Sequence, residues 1–536
     1  MVQKTIDKDI EEQIKAHEAE LREKYGLSQK IEHFKKPVER PFTKEERERT
    51  TILWGGLSLA HEELMTAAVE TLGYDIEHIP CPDNDALTFG KEYGNRGQCN
   101  PTYYTVGNLV KYLKRLKDQG VENIEEKYVF VTAGACGPCR FGMYEAEYRK
   151  ALKEAKFKDF RVLLWDQNGG LSQTTGKDGP GLELNTKFFL QMFKGMVAGD
   201  LINEAGYKIR PYEVNKGETD RVLEEAKKLV TDAFRRGVPT VLALRRVRKM
   251  LDKIEVDYTR LKPKVKITGE FWAQTTEGDG NYHMFRWLES EGAEVKVEPV
   301  GTWIEYIIFS AKHTAEEKID TDPKAKKTVL KLRVAKAFVR LFYTTYRAAL
   351  GFKTDPLPSQ NKLGEYAKAY YNTHLKGGEG HLEVAKTIMT TQEHQAHMLI
   401  SLKPFGCMPS TQSDGVQSKV VADFKDAIYI PIETSGDGEV NVKSRVQMKL
   451  YEAKQKAREE FQRILDENHI TIDEVKEIVR EDKNLGRAMR NVPHEAASTA
   501  ANFVLDIAHR RANGNGSKLS HWKRQLELAR ERVGIF

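Results

Sequence analysis

The sequence predicts an α/β protein: two lobes, each with a small, mostly parallel sheet flanked by helices, plus a helical N-terminal arm, helical insertions and a helical C-terminal region. Two observations predict it. Short apolar runs stopped by glycine or proline alternate with segments of helical period, which is the pattern of βαβ units. The pattern occurs twice, and a stretch that reads only as helix separates the two occurrences.

Residues 1–48 are densely charged, and the stretch from Ile10 to Leu21 reads as an exposed helix before Pro37 and Pro41 break the chain. The first lobe spans 49–180. Thr51–Gly56 is an apolar run ended by glycines, as for a buried parallel strand. A helix at about 61–72 follows, then a strand at 74–79 and a helix at 106–117. A strand at 127–132, a helix at 142–155 and a strand at 160–165 complete the lobe. Residues 181–262 form a helical connector. The second lobe, 263–442, opens with a strand at 263–270, a helix at 281–292 and a strand at 293–300. A helical insertion fills 302–395, and two more strands are expected at 398–402 and 427–431. Residues 443–536 read as helical and basic, with a break at Asn513–Ser517.

The 536 residues suggest about three domains at roughly 150 residues each. A net charge of +6 over that length does not argue for nucleic acid or an anionic membrane surface as partner. No run of about 18 apolar residues predicts a membrane span, and Met1–Lys8 shows no apolar signal core. Five cysteines, an odd and small number, argue against a disulfide scaffold. Together these features predict a cytoplasmic protein whose clustered cysteines bind metal or do redox chemistry.

The sharpest motif is Gly134-Ala135-Cys136-Gly137-Pro138-Cys139-Arg140-Phe141-Gly142, placed between a predicted strand and a predicted helix. Ligands collect at the carboxyl ends of strands in open α/β sheets. A helix start also stabilises a thiolate, the form that binds metal. Cys99 in Gln98-Cys99-Asn100-Pro101 and Cys407 in Phe405-Gly406-Cys407-Met408-Pro409 have similar surroundings. If both sheets turn these edges to a shared cleft, Cys99, Cys136, Cys139 and Cys407 supply four thiolates. That number matches a [4Fe–4S] cluster and also a structural zinc. Cys81, in Pro80-Cys81-Pro82, reads as a structural residue or as an additional ligand. Cys-Gly-Pro-Cys is also the core of the thioredoxin motif, so a thiol–disulfide oxidoreductase using Cys136 and Cys139 is the rival, although Ala135 stands where thioredoxins carry Trp.

These motifs resemble the cluster-binding components of the 2-hydroxyacyl-CoA dehydratases and benzoyl-CoA reductases, a family that includes the double-cubane cluster proteins. The closer likeness is to the branch related to the dehydratase activator. It rests on Gly90-Lys91-Glu92, Cys99-Asn100-Pro101, the stretch from Gly134 to Tyr144, and Phe405 to Pro409. Gly269-Glu270, Asn281 and the Leu288–Val295 stretch add to it. The resemblance covers about 50–180 and 263–445. It implies two α/β lobes with an iron–sulfur cluster between them, and an anaerobic electron-transfer role as a reductase or dehydratase-type component. It also implies a separate ATP-hydrolysing activase as electron donor, a small-molecule substrate, and assembly with itself or another chain. No acyl-CoA site can be located in the sequence, and five cysteines suggest a single cubane.

Four further stretches carry candidate groups. Gly169–Asp178 is a poor P-loop, because Asp178 replaces the Ser/Thr that would hold Mg²⁺. The loops at Glu277–His283 and Glu433–Gly438 place Asn281, His283, Glu433 and Asp437 near the second sheet edge, as cleft groups or as turn residues. Lys518 to Arg532 reads as an amphipathic basic helix packed on the body, with docking as the alternative.

Overall fold

The computed structural model describes residues 13–14, 16–25, 40–55, 58–134, 139–166, 180–375, 377–492 and 494–512. The chain divides into two compact units, 1–40 and 41–536. In the first, residues 16–24 are helical and exposed, with an Arg22–Glu18 ion pair of 2.8 Å along the helix. The second unit begins earlier than residue 49. Phe42 is fully buried, and Glu46 meets Arg161 in a buried ion pair at 2.9 Å.

Eight strands form two four-stranded sheets. β1 (Thr51–Trp54), β2 (Ile76–His78), β3 (Tyr128–Gly134) and β4 (Arg161–Asp166) make the first, in the order β2-β1-β3-β4. β5 (Lys264–Gly269), β6 (Glu294–Val297), β7 (Met398–Pro404) and β8 (Ile428–Thr434) make the second, in the order β6-β5-β7-β8. Every pairing is parallel. The α/β class with two parallel sheets and helical flanks is therefore the observed fold. In each sheet the chain steps to one side of its first strand and then to the other. That leaves a crevice between β1 and β3, and one between β5 and β7, at the carboxyl ends where such folds bind ligands.

The strands form where apolar runs bury both faces, as with Ile52, Leu53, Val129 and Phe130 in the first sheet and Val265, Ile267, Ile400 and Leu402 in the second. Two helices depart from the sequence expectation. Helix Asn100–Asp118 starts six residues before Val106, because Cys99 occupies its N-cap and Pro101 fits its first turn. Helix Asn84–Tyr93 was not foreseen. Asp83 caps it by accepting from the Ala86 N–H at 2.9 Å. Its Gly90 lies where a Cβ would come within 1.9 Å of the Tyr103 carbonyl oxygen, so the two helices cross backbone to backbone. Among the described residues no helix is long and apolar enough to cross a membrane.

One buried chain of hydrogen bonds ties helices of the two lobes to the connector. The Ser58 hydroxyl lies 2.5 Å from His61 Nδ1, and His61 Nε2 lies 2.9 Å from the Asp200 carboxylate. Asp200 also accepts from the backbone N–H groups of Val300 and Gly301 at 2.6 and 2.9 Å. The residue types are those of an acyl-transfer relay. Here, however, the carboxylate is committed to the start of helix Val300–Glu317, Ser58 caps helix Leu59–Glu70, and all three side chains are buried. The chain is a structural tie.

Candidate functional site

Three predicted ligand residues occupy one kind of position. Cys99 is the N-cap of helix Asn100–Asp118, and Cys407 is the N-cap of helix Met408–Asp423. Cys139 caps the 3-10 turn Arg140–Met143, which runs directly into helix Tyr144–Glu154. Each has extended backbone angles and precedes the N–H groups of a helical first turn, which favour negative charge. Cys136 lies outside the described residues.

The three segments are joined. The Asn100 N–H donates to the Phe405 carbonyl at 3.1 Å, linking the Cys99 loop of the first lobe to the Cys407 loop of the second. Gly406 makes this approach feasible. Its φ is +77°, and a Cβ there would stand 3.5 Å from the Cys99 Cα. The Arg140 guanidinium donates to the Gly97 carbonyl and so ties the Cys139 turn to the same loop. Buried Glu147 anchors that loop from below, accepting from the Asn95 N–H at 3.0 Å, its side-chain amide at 2.7 Å and the Gln98 amide at 3.1 Å. The Cys99 sulfur lies 3.1 Å from the Thr102 hydroxyl and 3.2 Å from that of Tyr144.

Burial governs the thiols. It pushes Cys139 up to about 12, aided by the nearby charges of Glu270, Glu379 and Cys99. Cys407 is raised by burial and by the same two carboxylates. A neutral thiol is thus the resting form, and a cation is what would convert it to thiolate. Among the described residues, no three His, Cys, Asp or Glu side chains stand in a metal-holding arrangement. The described cysteines fit a thiophilic group in chemistry, and their sulfurs do not by themselves form a cage. Cys81 faces elsewhere. Its sulfur lies 3.6 Å from the Thr276 hydroxyl, and burial pushes it up to about 11.

The second sheet edge holds ionisable groups that sequence reasoning missed. Glu270 caps helix Phe271–Thr275, accepting from the Ala273 N–H at 2.9 Å. Glu379 accepts from the Phe271 N–H at 2.5 Å. Glu383 accepts from the Ser413 hydroxyl and lies 4.0 Å from Lys403, which pairs with Asp414. Glu379, His381, Glu383, Lys386 and Lys403 are all buried. Burial pushes Glu270 up to about 7 and Glu379 well above the carboxylate range, and pushes Lys386 down to about 8. His381 packs edge-on against Tyr306 and Phe309, and burial holds it down at about 4. Neither of its ring nitrogens has a hydrogen-bond partner among the described residues. Buried acids held neutral can store protons.

The other weighed loops are structural. The side-chain amide of Asn281 donates to the Ala273 and Thr276 carbonyls at 3.0 and 2.7 Å, fully buried. His283 is exposed and pairs with Asp279 at 2.9 Å. The Tyr282 hydroxyl accepts from the Ser435 N–H at 2.9 Å, which pins the 433–438 loop, and Glu433 and Asp437 face solvent. Gly169–Asp178, which the sequence rejects as a P-loop, and Lys518–Arg532 lie outside the described residues. The sequence matches no protein-family model and no curated protein.

Proposed function

We propose that this chain is an iron–sulfur redox subunit in which Cys99, Cys136, Cys139 and Cys407 hold a [4Fe–4S] cluster. In this reading it accepts low-potential electrons from a separate ATP-hydrolysing activase and delivers them to a small-molecule substrate. The observation that carries the proposal is the junction of the Cys99 and Cys407 loops through the Asn100-to-Phe405 hydrogen bond, with the Cys139 turn tied to the same loop by Arg140. It brings sulfur from three distant segments and from both sheets to one neighbourhood.

When bound, the cluster supplies one-electron chemistry. The chain's own residues do the rest. The Thr102 and Tyr144 hydroxyls, within hydrogen-bond reach of the Cys99 sulfur, withdraw charge from it and raise the potential. Glu270 and Glu379 keep protons at the sheet edge next to Cys407, where a reduction that takes up protons would need them. The exposed side chains of Phe405, Met408 and Met143 give the neighbourhood an apolar rim that limits water.

Anoxic purification after iron-sufficient expression tests the proposal. The expected product is brown, carries about four iron and four sulfide per chain, and gives an EPR signal on reduction. A colourless, iron-free protein overturns it. One tightly held zinc with no redox change would make the site a metal scaffold instead. Insulin reduction that survives loss of Cys99 and Cys407 would make it a thiol–disulfide oxidoreductase.

A further inference from the structure

Helix Ala325–Ala349 has a composition unlike the rest of the chain. Its 25 residues include seven basic side chains and no acidic one. One side is core: Val329, Val339, Tyr343 and Tyr346 are buried. The opposite side is apolar and exposed. Leu330, Val334, Phe338 and Leu341 are 63, 62, 49 and 66% exposed, and Ala337 and Ala348 are exposed as well. Ordinary surface helices put polar residues on that side. Leu330, Val334, Ala337 and Leu341 are separated by alternating steps of four and three residues, which is the seam spacing of helix-on-helix packing. From Leu330 to Ala348 the seam runs about 27 Å, or five turns.

We propose that this seam docks an acidic amphipathic helix of a partner protein. The spacing asks for a helix, and the flanks ask for acid. Lys331 borders the seam on one side, and Lys326 and Arg333 border it on the other, all exposed. Arg333 is held only loosely by Glu316, at 3.6 Å and 65% exposed. In a partner helix with acidic residues beside its apolar stripe, those residues fall opposite these cations. The same seam of a second copy would set like charges face to face. A lipid surface favours a broad apolar face, whereas here half of the helix is already packed on the body and a narrow stripe remains. Phe338 stacks on Phe342 and Phe193, with ring centres 5.7 and 6.2 Å apart, so the seam is presented on a rigid support. The proposal does not depend on the cluster.

Three probes test it by fluorescence anisotropy or co-sedimentation with the full chain. They are a synthetic helix of about 21 residues with leucine at the seam and glutamate beside it, the same helix with lysine in place of glutamate, and vesicles rich in phosphatidylserine. The glutamate helix should bind, and raising the salt from low to several hundred millimolar should weaken it about tenfold. L330E/L341E should lose at least about tenfold. K331E/R333E, which leaves the apolar stripe intact, should weaken the glutamate helix and strengthen the lysine helix. The proposal is overturned by no binding of the glutamate helix, by equal binding of both helices, by vesicle binding that L330E/L341E abolishes, or by a self-association that L341E disrupts.

Discussion

At the carboxyl edge of the first sheet, the Cys99 sulfur has neutral partners, the Thr102 and Tyr144 hydroxyls, and Cys139 accepts from the Phe141 backbone N–H while sharing the influence of Glu270 and Glu379 with the second edge. At the same edge of the second sheet, Cys407 shares its surroundings with Glu270, Glu379 and Lys403. The two sheets have the same strand order and the same device of a cysteine capping a helix. What differs is which sheet carries the charge: Glu270 directly follows β5, and Lys403 lies within β7. The strands themselves announce the difference. Lys266 and Lys403 are buried within β5 and β7 and pair with Glu298 and Asp414, whereas the first sheet's buried strand cation among the described residues, Arg161, pairs with Glu46 at the far, amino end. In the proposed function the first edge would supply sulfur, and the second would supply sulfur and protons.

The sharpest way to break this comparison is to remove the second lobe's only described thiol. Cys407→Ala should lower bound iron from about four to below about one per chain, measured anoxically by iron and sulfide analysis. Retention of full iron would mean that the first lobe binds metal alone. A smaller effect is expected at Glu379. Glu379→Ala leaves the Phe271 N–H without its acceptor and should cost about 1–3 kcal/mol in denaturant unfolding, whereas Glu379→Gln should cost less, because its carbonyl still accepts.

Glu270 sharpens the comparison through pH. Burial raises it from 4.5 to about 7 in the folded chain. The folded state therefore binds its proton more tightly than the unfolded state. Its contribution is full below about 4.5 and is lost as pH rises through about 7. Unfolding midpoints should fall between pH 5 and 7.5 more steeply in the parent than in Glu270→Gln. Equal slopes would remove Glu270 from the proton store. The smallest effect belongs to Cys81. Its partner is Thr276 and not another thiol, so Cys81→Ser should leave iron content unchanged and shift stability by no more than about 1 kcal/mol. Iron loss in that variant would add a fifth ligand to the site.

Much of the fold was legible because its signals are local. Most strands lie within apolar runs that glycine or proline stops, β2 and β6 alternate apolar with charged residues, and all eight positions were read to within a few residues. The cysteines were legible from their glycine- and proline-rich settings. The acid–base groups were not. Glu379, His381, Glu383 and Lys386 stand in a segment read as helical insertion, where charged residues usually face water. Their burial is a tertiary effect of packing against β7 and helix Met408–Asp423. Two signals could have exposed them: Gly377-Gly378-Glu379-Gly380-His381, where glycines flank an acid and an imidazole, and the lysines inside the apolar strands β5 and β7. Helix Asn84–Tyr93 was missed for a different reason. Its glycine serves a close helix crossing, which composition alone reads as a breaker.

The hydrogen bond from Asn100 to Phe405 spans 305 positions of the chain. A loop that long closes slowly, and its second end is synthesised only after the residues between have been added. The first lobe can therefore emerge from the ribosome and fold while its cysteines still lack their counterpart. Any metal loading that needs all four sulfurs must wait until the segment carrying Cys407 has emerged, so the newborn chain passes through an interval in which Cys99 and Cys139 lack that counterpart.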